Sequence, residues 1–426
     1  MLSALAEALD DPDEEVFHEA TAALAGLDAS ARDAIPALIR SLRRGAVIKV
    51  GAYGGFIQQH AGNPAHVLAQ MGELAVSPLI EALHNDNEEV RWGALAALTF
   101  MDPPPVRAIP SVVRTLTEDS GVNVRWRAVV FLAHLKSHSE QVVLALAGAL
   151  KDEDHGVRLQ ATIAVGHIGE AAAPAVSNLI PMLSTEKGPA TDAVENMLER
   201  FAAANALVAI GPGARAAIPA FLDVIKSGDR LLFREAAKAF QRIDPDNTEI
   251  VPALVDSLND SNVRASALSA LAILGPVAAH AIPAIRDAVT DPSMRVRVEA
   301  AMALANVADD LPTAVPVLMR ALAPDCERDV RYSAAEALGE MGPRAALAIP
   351  ALIGLLNESD YGLAQRAAWS LEGIGIPAAL VELLDDAVSE GFADTRTRRI
   401  VFLLINRLLK PGSIAGPGTG VFTGLP

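Results

Sequence analysis

The chain repeats itself with a period of 33 or 34 residues, and a period of that length leaves few folds open. Ile-Pro after an Ala occurs five times, at Ile35-Pro36, Ile109-Pro110, Ile218-Pro219, Ile282-Pro283 and Ile349-Pro350. Ser77-Pro78, Val251-Pro252 and Val315-Pro316 take the same place. A Leu-rich stretch follows each, then an acidic or Asn-containing turn. A second phrase comes next: Val90-Arg91, Val124-Arg125, Val157-Arg158, Val263-Arg264, Val296-Arg297 and Val330-Arg331. Four places after each Val stands an Ala, and eight places after it a Leu or Val, which is one face of a helix. No stretch alternates as a strand would. Each period therefore holds two helices and two turns.

Composition supports this. Apolar residues are 51% of the chain but aromatics only 4%, so its apolar mass is Ala and Leu, both strong helix formers. Thin, closely packed helices are expected, and an all-β fold is disfavoured. Asp11-Pro12-Asp13-Glu14 reads as an N-cap acid followed by Pro at the first helical position, and Asp291-Pro292 repeats it. Gly169, Gly211, Gly275, Gly342 and Gly375 fall just past second helices, where a left-handed cap favours Gly.

A two-helix unit cannot bury its own apolar face, so units must stack into a continuous core. The expected fold is an all-α, right-handed solenoid of about twelve such units over residues 1–408. The phrases resemble HEAT repeats, and more closely the short variety named after the phycobilisome lyase subunits. That resemblance implies a ladder in which turn acids (Asp86, Asp119, Asp152, Asp291, Asp325) meet the arginines of the Val-Arg phrases. Two periods are about ten residues longer than the rest, giving expected insertions at about 43–63 and 184–196. Such insertions are surface loops and in solenoids often lie on binding faces. Residues 409–426 read as a disordered Gly/Pro-rich tail. The basic residues before it, Arg396 to Lys410, read as a polar cap on the last repeat.

Charge and cysteine usage narrow the function. With 35 basic and 52 acidic residues the net charge is −17, which argues against nucleic acid, whose binders carry a basic face. One cysteine, Cys326, excludes an internal disulfide framework and a Cys-built zinc site. The first sixteen residues carry six acids and no base, unlike a secretory signal, and no apolar run near a basic flank approaches a membrane span. A monomeric cytoplasmic protein is expected.

No phosphate-binding Gly loop, nucleophile elbow or HExxH helix occurs. His18-Glu19 resembles one iron-ligand dyad of deoxyhypusine hydroxylase, itself a HEAT-repeat enzyme, but the matching places in other repeats lack the dyad. His134 and His138 have a metal-sharing spacing only if their helix continues, and His167 takes the place of His134 one repeat on. No catalytic, cofactor or metal site is expected, and a resemblance at the repeat carries no chemistry with it.

The leading expectation is a scaffold that binds a protein or peptide on the concave face formed by the second helices. Places three, six and ten after the Val share that face. The residues singled out on it are Phe100, Arg127, Val130, His134, Gln160, Ile163, His167 and, near the other end, Trp369. The alternative is an enzyme or lyase-associated subunit of the phycobilin lyase kind.

Overall fold

Each copy of the repeat folds as two helices because its punctuation is local. The computed structural model describes residues 1–27, 32–44, 63–135, 139–184, 193–227, 232–246, 248–356, 358 and 360–375. Both expected insertions fall largely outside these residues, and His138, the basic run and the tail fall wholly outside. Among the described residues there is no strand.

The helices run α1 (Leu2–Ala8), α2 (Glu14–Ala25), α3 (Ile35–Ser41), α4 (Pro64–Gln70), α5 (Glu73–Ala82), α6 (Glu88–Phe100) and α7 (Ile109–Glu118). Then come α8 (Val122–His134), α9 (Glu140–Ala149), α10 (His155–Ile168), α11 (Val176–Leu179), α12 (Ala193–Ile210), α13 (Ile218–Ser227) and α14 (Phe233–Ile243). The rest are α15 (Ile250–Ser257), α16 (Arg264–Leu274), α17 (Ile282–Ala288), α18 (Met294–Ala308), α19 (Leu311–Ala321), α20 (Arg328–Glu340), α21 (Ile349–Leu355) and α22 (Tyr361–Ile374). Odd-numbered helices open a pair and even-numbered ones close it. The chain packs as two compact units, an N-terminal one (Met1–Val224 with Asp229–Asp246) and a C-terminal one (Ile225–Gly228 with Asn247–Pro426). In each unit second helices stack on second helices: α4, α6, α8, α10, α12 and α14 in the first, α16, α18, α20 and α22 in the second.

The Ile-Pro phrase starts first helices, since Pro falls in the opening turn where its missing N–H is no loss. The Asp-Pro device works differently from the expectation. Asp11 and Asp291 do not cap the helix; each accepts the amide two residues on, from Asp13 and Ser293, and closes a turn before it. The N-caps are Asp13 and Ser293 themselves. Second helices end on glycines with positive φ, at Gly72, Gly169, Gly211, Gly275, Gly342 and Gly375. These six keep register even in pairs that lack Val-Arg.

Close packing rests on the fourth place after the Val. Ala94, Ala128, Ala161, Ala267, Ala300 and Ala334 are all fully buried there. At one contact even Ala is too large: a Cβ on Gly339 would lie 2.7 Å from the Ser370 backbone of α22. Two continuous stretches, Val194–Ser227 and Arg264–Ala288, are long and apolar enough to cross a membrane by length and composition. Each is two helices broken at a positive-φ glycine, Gly211 and Gly275, with about half of its apolar window packed inside.

The arginine ladder forms, with different membership. Arg91 Nε and Nη2 donate to Asp119 at 2.7 and 2.9 Å, and Arg125 Nε and Nη2 to Asp152 at 2.8 and 2.9 Å. Arg158 reaches Glu199 instead of an Asp. In the C-terminal unit Arg264 pairs with Asp291 and Arg331 with Glu358. Each arginine thus bridges to the next repeat, while Nη1 of Arg91, Arg125 and Arg158 donates to carbonyls of its own turn. Two expected acids stand outside the ladder. Asp86 offers its backbone carbonyl, and Asp325 is held by Arg320 at 2.8 Å. Arg297 is bonded to the Asp291 and Pro292 carbonyls, with no acid paired to it among the described residues. In the first pair Phe17 occupies the arginine's place. Arg44, from the following pair, stacks on the Phe17 ring and donates to the Leu9, Asp11 and Pro12 carbonyls, so the turn is satisfied from the neighbouring repeat.

Candidate binding stripe on the second helices

On α6, α8 and α10 the third, sixth and tenth places form a stripe of differing depth. Val130 and Gln160 are half-buried, and Ile163, His134 and His167 are exposed. His134 Nδ1 lies 3.0 Å from the Val130 carbonyl, a bond within its own helix. Among the described residues no group of three or more His, Cys, Asp or Glu side chains forms a metal-binding cluster.

Arg127 departs most from a solvated groove residue. Only 4% of its surface is exposed. Its guanidinium carbon sits 5.3 Å from the Trp92 ring centroid and 5.4 Å from that of Phe100, both on α6. Its Nε and Nη2 are buried with no hydrogen-bond partner among the described residues. Burial pulls its pKa down to about 10, so it remains protonated at neutral pH. Keeping the buried guanidinium charged costs roughly 3 kcal/mol, because each tenfold weakening of its hold on the proton is worth about 1.4 kcal/mol. The two ring contacts return part of this, at about 0.5–2 kcal/mol each.

The structure thus joins Phe100 to Arg127 and adds two residues that the repeat pattern alone did not single out. Trp92 stacks on the guanidinium. His66 of α4 meets the Phe100 ring edge-on at 5.8 Å, with its buried Nδ1 unpartnered. His66 stands six places before Gly72, as Ile163 stands six before Gly169, so it belongs to the stripe. Trp369 lies in the C-terminal unit, exposed, with the Arg366 guanidinium 5.4 Å from its ring.

The C-terminal unit also carries an open groove of about 590 Å³ lined by Ala272, Gly275, Asn306, Asp309 and Arg344. Arg344 and Asp309 bond to each other across it, and Asn306 Nδ2 donates to the Ala272 carbonyl at 3.3 Å. Its polar groups answer one another.

The profile of HEAT repeats matches residues 251–339 and 315–402. Among curated proteins, none matches the sequence. Solved structures are similar in fold. The karyopherin Kap121p bound to the SUMO protease Ulp1p superposes with a TM-score of 0.66 at 14% identity, over 97% of this chain and 49% of that one. Kap121p bound to Pho4p gives 0.64 at 14% identity over 97% and 50%. Importin beta gives 0.53 at 15% identity over 96% and 62%. The chain spans about half the length of the Kap121p structures. The protein is an all-α solenoid by fold.

Proposed function

We propose that this chain is a non-catalytic scaffold that binds a protein or peptide on the concave face of its second helices. The main contact lies on the stripe of α6, α8 and α10, at Phe100, Arg127, Val130, His134, Gln160, Ile163 and His167, with Trp369 as a separate contact. The observation that carries the reading is the stripe's chemistry. An exposed apolar side chain, Ile163, and two exposed imidazoles share a stripe with a buried, unanswered arginine clasped by two aromatic rings. Arg and aromatic residues dominate binding energy at interfaces. The Kap121p neighbours carry bound proteins, which agrees with this use of the fold.

The scaffold works as a cytoplasmic monomer without a membrane span. A net charge of −17 keeps it off nucleic acid. No observation among the described residues favours the lyase-associated alternative. Photo-crosslinking groups placed at Ile163 and at Leu144, an exposed apolar residue on the first helix α9, test the reading. Adducts from position 163 and none from 144 are expected. Equal labelling from both would remove the stripe from consideration.

A further inference from the structure

On α14, α18 and α22 the charge at the third place is answered from a sixth place. Arg366 on α22 is answered by Glu336, at the sixth place of the preceding second helix, with Nη1 to Oε1 at 2.9 Å. Glu299 on α18 is answered the same way by Ser269 on α16. Glu235 on α14 takes Lys238 of its own helix at 3.1 Å. Arg127 is the third-place charge on α8, and the residue that should answer it on α6 is Ala96, which has no polar group. The nine third-, sixth- and tenth-place residues of α6, α8 and α10 include no acid.

The unpartnered atoms say what is missing. Nε and Nη2 are the pair with which Arg91 and Arg125 grip a carboxylate side-on, Nε to one oxygen and Nη2 to the other. In Arg127 those same two nitrogens are buried and empty-handed. A guanidinium edge matches a planar carboxylate in this geometry. Resting on the docking reading above, we propose that Arg127 is the receptor for one Asp or Glu side chain of the docked segment, held by Nε and Nη2 between Trp92 and Phe100. One arginine among the nine stripe residues of α6, α8 and α10 suits a single carboxylate better than a phosphate dianion or a polyanion. Both nitrogens are closed to solvent in the free chain, so docking must displace side chains around them. Trp92, in contact with the guanidinium, reports that movement.

The test uses the full native chain for selection and affinity, and a Trp126→Phe, Trp369→Phe form, which leaves Trp92 as the one tryptophan, only to read emission. A phage-displayed random peptide library is selected against the native chain, and the enriched peptide is synthesised with its acid intact or replaced by the matching amide. The selected peptides should share one Asp or Glu, and their binding should shift Trp92 emission. The amide peptide, or Arg127→Met in the chain, should each weaken binding roughly thirtyfold, the two together little more than either alone. Arg127→Met should melt no lower than the parent, which separates lost binding from lost folding. Ile163→Asp distinguishes the two levels of the argument. If it abolishes binding while the amide peptide and Arg127→Met do nothing, the docking stripe stands and the carboxylate receptor falls. If neither Ile163→Asp nor Arg127→Met matters, both fall. A preference for phosphopeptides, or a library that yields no binder, also overturns the proposal.

Discussion

The stripe of α6, α8 and α10 and the corresponding stripe of α16, α18, α20 and α22 are built on one plan and finished differently. In the C-terminal unit each third-place charge has its counterpart one repeat back: Glu299 on Ser269, Arg366 on Glu336. On α8 the third-place charge, Arg127, is buried deeper and has none among the described residues. A guanidinium left in that state is destabilising in the free chain, and nothing in the repeat requires it, since Gly93 and Gln160 fill the same place on α6 and α10. The difference separates residues that hold repeats together from a residue the fold tolerates at its own expense.

The largest effect sharpens the contrast from within one helix. Arg125 and Arg127 are two residues apart on α8, one paired and one not. Arg125→Ala leaves Asp152 buried without its partner and frees the Asp119 and Ser120 carbonyls, and should lower stability by about 3–5 kcal/mol. Arg127→Met should do the opposite and raise stability by about 1–3 kcal/mol, because it removes an unanswered buried charge and keeps most of the volume. Urea midpoints at unchanged slope measure both. A loss in Arg127→Met comparable to that in Arg125→Ala would make Arg127 a structural strut and dissolve the comparison. A smaller effect tests the rule directly. Ala96→Glu writes the Glu336 solution into the N-terminal unit, but at a fully buried place, so the strain of the larger side chain offsets the roughly 1 kcal/mol that its bond to Arg127 contributes; the variant should melt close to the parent while blocking peptide docking. Peptide docking unaffected by Ala96→Glu, or a melt unchanged by Glu336→Ala, would show that the sixth place does not answer the third.

Much of this was legible in the sequence. The period, the Ile-Pro starts and the buried Ala at the fourth place identify the helix pairs, because each acts through contacts within or between neighbouring repeats. The positive-φ glycines carry more than their turn. Counting back from Gly72 places His66 on the stripe although its pair has no Val-Arg phrase. The partners of individual charges were less legible. Asp325 has the ladder spacing, yet Arg320 lies closer in the chain and takes it, which leaves Arg297 on backbone carbonyls. Phe17 reads as a lost ladder arginine until Arg44 is seen to supply the bonds from the next pair. Arg127 reads as an exposed groove residue on its own helix. Trp92 and Phe100 on the preceding second helix stack on it, so the pattern to read lies across repeats: a charge at the third place, and what stands at the sixth place one repeat before.

The smallest expected effect concerns Glu299, the acidic counterpart of Arg127 at the same place in the other unit. Burial is the largest influence on its carboxyl and raises its pKa, against the opposing hydrogen bond from Ser269 and the nearby charge of Arg295. A carboxyl whose folded pKa lies above its unfolded one is destabilising wherever it is ionised in the folded state. The penalty is therefore fully present above the folded pKa, shrinks as pH falls towards the ordinary Glu value of about 4.3, and is gone below it. Arg127 mirrors this, its penalty being fully present below about 10 and relieved only above that value. Near neutral pH both charges work against folding, but only Glu299 can be relieved by mild acid. Glu299→Gln should remove that relief. As pH falls from neutral towards the ordinary Glu value the parent should gain stability relative to the variant, read as a converging pair of urea midpoints. A parent that loses stability relative to Glu299→Gln over the same interval would mean that Ser269 and Arg295 outweigh burial, and that the charge on α18 is fully answered where the one on α8 is not.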